Sequence, residues 1–379
     1  MKIRSIEPTP NPNSMKLNLD ERLPEGLTRS YVREHGQNAP ESLRRLLEIP
    51  GVKSIYQVAD FISIERNPKY DWQPILTAAA HVLEGSAEGA ESVLSPQTID
   101  ESSAEIKVFV QQYRGIPMQI KLLTPTQDLR VALPDRFGFT AKQAAQASGQ
   151  FLQERKWVEQ GVRYGDVQAV GDEMVQLIEA AYEEERLQQL LKQAIAQGEG
   201  EAVPSLPLTS TEAAERYQDP DWKKRFAALD QLHPTVEDLP LLGKAVHDEN
   251  ASIRRLAAVY LGAIGGSEVL PHLFAALQDP AVAVRRAAGD SLSDLGDPAA
   301  ILPMAEALKD PSKLVRWRAA RFLYEVGDAS ALPALRAVAD DPEFEVALQA
   351  KMAVERIEGG QAASGPLWQQ LSRDLSSES

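Results

Sequence analysis

The chain has 379 residues, 43% of them hydrophobic and 25% charged, with a formal net charge of −15. That length predicts two or three domains, and the apolar content is enough to bury real cores, which excludes global disorder. The first 85 residues are electrically balanced and the excess of acid lies beyond them, the reverse of the basic footprint that phosphate neutralisation needs, so nucleic acid is disfavoured as a partner. Cysteine is absent, which removes disulfides, thiolate metal ligands and thiolate-held iron–sulfur clusters and leaves no cofactor to predict. No run approaches eighteen apolar residues and no apolar signal segment opens the chain, so membrane insertion is not expected and the chain is read as cytoplasmic.

Residues 7–19 (EPTPNPNSMKLNL) hold three prolines that keep the backbone extended before an amphipathic strand from Asn13 and Ser14. Leu43, Leu46 and Leu47 lie on one helical face that ends at Ile49-Pro50-Gly51. Val52–Tyr56 and Phe61–Ile64 alternate as two strands about Ala59-Asp60, and a helix from Asp71 to Leu83 carries Trp72, Ile75, Leu76, Ala79 and Leu83 on its apolar side. The runs TPNPNSMKL and IPGVKSIYQVADFISIERNPKYDWQPI resemble the N-terminal domain of Nfu/NifU-type iron–sulfur scaffold proteins. That family holds its cluster on a separate Cys-x-x-Cys domain, so the resemblance implies docking onto iron–sulfur assembly proteins and not cluster carriage.

Residues 85–104 are small, polar and acidic and read as a linker. Three strands are expected at Ile106–Val110, Met118–Leu122 and Leu129–Leu133, then helices at about Thr140–Glu159 and Asp172–Gln197. A second linker surrounds Gly198–Glu201. Arg136, Trp157, Arg163 and Tyr164 form the polar-aromatic group that is the candidate pocket of this middle domain.

From Thr211 the chain repeats itself. Asp219, Asp248, Asp279, Asp310 and Asp341 are 29, 31, 31 and 31 residues apart, each but Asp248 followed by Pro. Six residues after the first four come Arg225, Arg254, Arg285 and Arg316, with Ala347 breaking the series, and Pro240, Pro271, Pro303 and Pro333 precede the last four. In one unit, Leu270, Leu273, Phe274 and Leu277 make one helix stripe. Asp279-Pro280 is expected to cap the next helix, with Val282, Val284, Ala287, Ala288 and Leu292 facing inward and Gly296 closing it. One hairpin cannot bury both faces, so neighbours must stack. This pattern resembles bacterial HEAT repeats, including those of phycobilisome-lyase-like proteins. The resemblance implies an Asp–Arg ladder between repeats through Asp248/Arg254, Asp279/Arg285 and Asp310/Arg316, with Asp219/Arg225 less clearly part of it. The second basic row, Arg255, Arg286 and Arg318, is left as a candidate partner-binding face.

The five histidines show no zinc spacing, although His247 and His272 lie in neighbouring repeats, and no nucleotide loop or serine elbow is present. The order of segments resembles the conserved virulence factor C family. The expected architecture is multidomain: an α/β N-terminal domain (1–85), a small α+β domain (105–198), an all-α HEAT-like solenoid (211–358) and a tail (359–379). A non-enzymatic adaptor for protein partners is expected, with an iron–sulfur accessory factor and an enzyme or lyase-type chaperone acting through the middle domain as alternatives.

Overall fold

The computed structural model describes residues 2–9, 13–24, 27–67, 70, 72–84, 105–124, 127–147, 150–197 and 207–360. The two expected linkers, the tail beyond Gly360 and the centre of the Pro/Asn segment therefore lie outside the described residues. The chain divides into two compact units, one gathering Met1–Asp100 with Pro333–Arg356, the other Glu101–Leu332 with Ile357–Ser379.

In the first unit β1 (Ile3–Pro8), β2 (Ser14–Leu19), β3 (Thr28–Val32), β4 (Val52–Val58) and β5 (Phe61–Arg66) form one antiparallel sheet in the order β1-β2-β5-β4-β3. The β4–β5 hairpin turns at Ala59, φ +47°, as its sequence predicts. Strands β1 and β3 were not expected. Alternation buries Met15, Leu17, Leu19, Ile62 and Ile64 against α1 (Glu41–Glu48) and α2 (Trp72–Glu84), with Trp72 fully enclosed.

In the second unit β6 (Glu105–Tyr113), β7 (Ile116–Leu123), β8 (Asp128–Ala132), α3 (Asp135–Ala145), α4 (Phe151–Glu154), β9 (Arg155–Tyr164), α5 (Val167–Ala181) and α6 (Glu184–Gln197) build the middle domain. The antiparallel sheet runs β8-β7-β6-β9. Its inner face buries Ile106, Val108, Ile120 and Leu122, and Phe137, Leu177 and Leu187 are buried on the helices. Two expectations fail here. The helix expected across Thr140–Glu159 stops at Ala145, and its second half is β9. The helix expected at Asp172–Gln197 begins earlier and breaks after Ala181 into two. Arg155 to Tyr164 pairs along the whole of β6, and that pairing outweighs local helix preference.

Helical hairpins follow: α7 (Ser210–Arg216) with α8 (Trp222–Asp230), α9 (Leu239–Ala245) with α10 (Ala251–Ile264), α11 (Leu270–Ala276) with α12 (Val282–Leu295), and α13 (Ile301–Ala307) with α14 (Lys313–Glu325). The last pair, α15 (Leu332–Ala337) and α16 (Phe344–Glu358), falls almost wholly in the first unit. There Phe344 and Leu348 lie on the N-terminal core and Glu345 pairs with Arg66.

The ladder crosses repeats in one direction, each arginine reaching the aspartate of the following repeat. Arg225 grips Asp248 (2.8 and 3.0 Å), Arg254 grips Asp279 (2.6 and 2.9 Å) and Arg285 grips Asp310 (2.6 and 2.9 Å). The remaining Nη1 of each donates to the carbonyl of the aspartate six residues earlier, as does Arg316 to Asp310. Arg225 is thus a full rung.

Asp279 does not cap α12. It accepts from the Ala281 amide at 2.8 Å in a turn before the helix, whose N-cap is Ala281, so Pro280 lies outside the helix and Val282 is 45% exposed at its first position. Gly296 closes α12 in the left-handed region (φ +62°) as expected.

Helices α10 and α12 come close together at Gly262, where an added Cβ would stand 2.4 Å from Ser291 Oγ and 3.2 Å from its Cα. Gly262→Ala gains about 1 kcal/mol of helix propensity but forces the two helices apart at about 1–3 kcal/mol. A net loss of up to about 2 kcal/mol is expected in urea unfolding; a raised midpoint would show that the contact relaxes freely.

Candidate functional site

The two groups of side chains singled out in the sequence are regrouped by the fold. Strand β9 ends on Arg163 and Tyr164, Gly165 turns the chain at φ +122°, and Asp166 caps α5 by accepting from the Ala169 amide at 2.8 Å. This delivers Arg163, Tyr164 and Glu173 of α5 to the repeat helices α10, α12 and α14, which carry Arg255, Arg286 and Arg318. Each of these arginines is one or two residues beyond a ladder arginine, so it projects on a different side of its helix from the rung.

Arg286 stacks on the ring of Tyr164, its guanidinium carbon 3.2 Å from the centroid. Its Nε is 3.7 Å from Asp290, whose Oδ1 is 2.6 Å from Arg318 Nε. The α10 end is tied to α5 where Ser252 Oγ donates to Glu173 at 3.4 Å. Farther along, Arg186 of α6 pairs with Asp230 of α8 at 2.8 Å and lies over the Tyr182 ring. The second basic row therefore faces the protein's own middle domain, which covers this side of the stack.

The electrostatics follow from that cover. Burial pushes the Tyr164 hydroxyl up to about 12, with Arg286 opposing. Burial lowers Arg163, Arg255 and Arg286 alike, and mutual repulsion deepens the effect: Arg163 and Arg286 both act on Arg255, and Arg286 on Arg163. Glu173 opposes the shift at Arg163 and Arg255, Asp290 that at Arg286. Arg255 makes no hydrogen bond and no ion pair with the described residues, and its Nε is completely buried. The sequence placed Arg255 and Arg163 in different candidate groups, and neither Glu173 nor Asp290 was anticipated; only the spacing of Asp290, four residues after Arg286, pointed to it.

Arg136 and Trp157 do not join this cluster. Arg136 donates to the Glu179 carbonyl at 3.2 Å, satisfying the end of α5, and lies over Phe137. Trp157 lies farther along β9, with Lys121 4.7 Å and Arg130 6.0 Å from its ring and Phe109 beside Lys121. Near it an open groove of about 550 Å³ is lined by Gln111, Arg130, Phe139, Lys142 and Arg155 among others, with Phe139 63% exposed. The His272 ring fills the space over Gly243. No group of three His, Cys, Asp or Glu side chains among the described residues is placed to hold a metal, and no described helix is long and apolar enough to cross a membrane.

The sequence matches three family models: the scaffold protein Nfu/NifU N terminal over residues 3–89, virulence factor over 111–191, and HEAT repeats over 211–293 and 270–355. It is 48% identical to conserved virulence factor C of Staphylococcus aureus (strain bovine RF122 / ET3-1), covering 98% of this chain and 99% of the relative. The chain belongs to the conserved virulence factor C family. Protein YpgR of Bacillus subtilis (strain 168) is 54% identical, over 98% of both chains. Among solved structures, protein SAV1430 of Staphylococcus aureus is 35% identical over 22% of this chain and 99% of its own, with a TM-score of 0.21. The family architecture is thus an α/β N-terminal region and a small sheet domain followed by HEAT-type helical repeats.

Proposed function

We propose that this member of the family is a non-enzymatic scaffold that binds protein partners along its HEAT stack. The observation that carries the reading is the ladder: successive bidentate Arg–Asp rungs, nearly buried, join the hairpins of α7 to α14 into a continuous surface. The side bearing Arg255, Arg286 and Arg318 is taken up by the middle domain, so partners are directed to the remaining faces of the stack. Crosslinking mass spectrometry on the native full chain tests this. Intermolecular crosslinks are expected on Lys223, Lys244, Lys309 and Lys313; crosslinks confined to Lys2, Lys16 and Lys53 would refute it.

A second reading, docking within iron–sulfur assembly, is favoured by the Nfu/NifU N-terminal match over residues 3–89. The chain has no cysteine to ligate a cluster, so its part would be to position a donor. Recovery of sulfur-mobilising or cluster-carrying proteins through the N-terminal lysines supports this reading, and their consistent absence argues against it.

A further inference from the structure

We propose that Arg163, Arg255 and Arg286 form a binding site for a phosphate-type oxyanion at the junction of the middle domain and the HEAT stack. The starting point is Arg255. Other arginines of this unit are well paired: Arg225, Arg254 and Arg285 each hold a carboxylate and two backbone carbonyls, Arg114 holds Glu154 and the Ala194 carbonyl, and Arg321 holds Glu325. Arg255 holds no partner among the described residues, and its Nε is buried. A guanidinium with a buried, unbonded Nε is stabilised by an anion that reaches it.

The neighbours make this worse, not better. Arg163 also has a buried Nε without a hydrogen-bond partner, and among the described residues its Nη1 donates to the carbonyls of Gln160 and Val162. Arg286 has its face on Tyr164 and only a long approach, 3.7 Å, to Asp290. That aspartate is already engaged by Arg318 at 2.6 Å. Glu173 acts on Arg163 and Arg255 and accepts a hydrogen bond from Ser252, and Glu105 acts with Asp290 on Arg286. Glu173 thus counters Arg163 and Arg255 while Asp290 and Glu105 counter Arg286, and none of the three acids pairs with Arg255.

The chemistry of the donors selects the class of ligand. Guanidinium forks match the paired oxygens of phosphate and carboxylate, and a tetrahedral oxyanion offers oxygens to more than one fork. The three side chains are half-buried, not sealed, so a small ion can reach them. Because Arg163 comes from the middle domain and Arg255 and Arg286 from the repeats, a bound anion would tie the two together.

The test uses the full-length protein, thermal unfolding and calorimetric titration with inorganic phosphate, against chloride at matched ionic strength. Saturating phosphate is expected to raise Tm by roughly 3–6 °C. Arg255→Met removes the unpaired charge but keeps most of the chain's bulk. It is expected to raise Tm in phosphate-free buffer while abolishing the phosphate response. Arg163→Met, read by calorimetry, should weaken phosphate binding at least tenfold. Titrations with phosphoserine and a nucleoside monophosphate identify the source: tighter binding than inorganic phosphate assigns the site to a phosphoryl group on a larger molecule, weaker binding to the free ion. A wild-type protein that responds no more to phosphate than to chloride overturns the proposal. So does a phosphate response that survives in both variants, or an Arg255→Met variant equally destabilised with and without phosphate.

Discussion

Asp248→Ala is expected to lower the unfolding free energy of the second unit by about 3–5 kcal/mol, measured by urea denaturation. The Asp248 carboxylate accepts from Arg225 Nε and Nη2, from the Tyr217 hydroxyl at 2.5 Å and from the Asn250 amide at 2.8 Å, and its side chain is 4% exposed. Truncation leaves a nearly buried guanidinium, a phenol and an amide short of their acceptor together. Asp219 stands at the head of the series but is 28% exposed, accepting from the Asp221 amide and Lys224. Asp219→Ala should therefore cost less than about 1 kcal/mol. Equal losses at the two positions would show that the rung adds nothing to the stack.

The same carboxylate sets an acid limit. Burial alone would raise its pKa, but hydrogen bonds from Arg225, Tyr217 and Asn250 outweigh burial and hold it below the ordinary value. A folded pKa below the unfolded one means the stabilisation is fully present above the unfolded value of about 3.9 and is lost as pH falls through the folded value. Asp248→Ala should therefore narrow the stability gap to wild type only in strong acid.

Trp72→Ala is expected to cost the first unit about 3–5 kcal/mol. Trp72 begins α2 at 0% exposure within a core that includes Leu17, Ile62, Ile64 and Leu46, and Arg66 lies 5.1 Å from its ring. Because the protein has two compact units, the loss should appear as an early transition of one unit in calorimetry, with the other little changed. A single transition shifted as a whole would mean that the units unfold together.

Much of this was legible in the chain. The β4–β5 hairpin, α1 and α2 follow from alternation and from helical spacing, and the period of 31 announced the stack before any coordinate. Strands β1, β3 and β9 were not legible, because a strand is defined by the partner it pairs with. Arg155–Tyr164 has that partner in β6, nearly fifty residues earlier. The candidate site divided in the same way. The repeat arginines Arg255, Arg286 and Arg318 lie on their expected helices, whereas Trp157, Arg163 and Tyr164 lie on the unexpected strand β9, and Arg163 and Arg255 had been placed in separate groups.

The amino-acid sequence by itself determined the repeat. Asp and Arg at a fixed offset, with Pro before and Ala between, can satisfy their hydrogen bonds and close packing in few ways other than stacked hairpins. The tertiary structure alone decided what the second arginine row faces. Periodicity reports which side of a helix a residue occupies, whereas the neighbour on that side depends on how distant segments meet. Here that neighbour is the end of β9, which turns an expected partner surface into a buried, cation-rich junction within the chain.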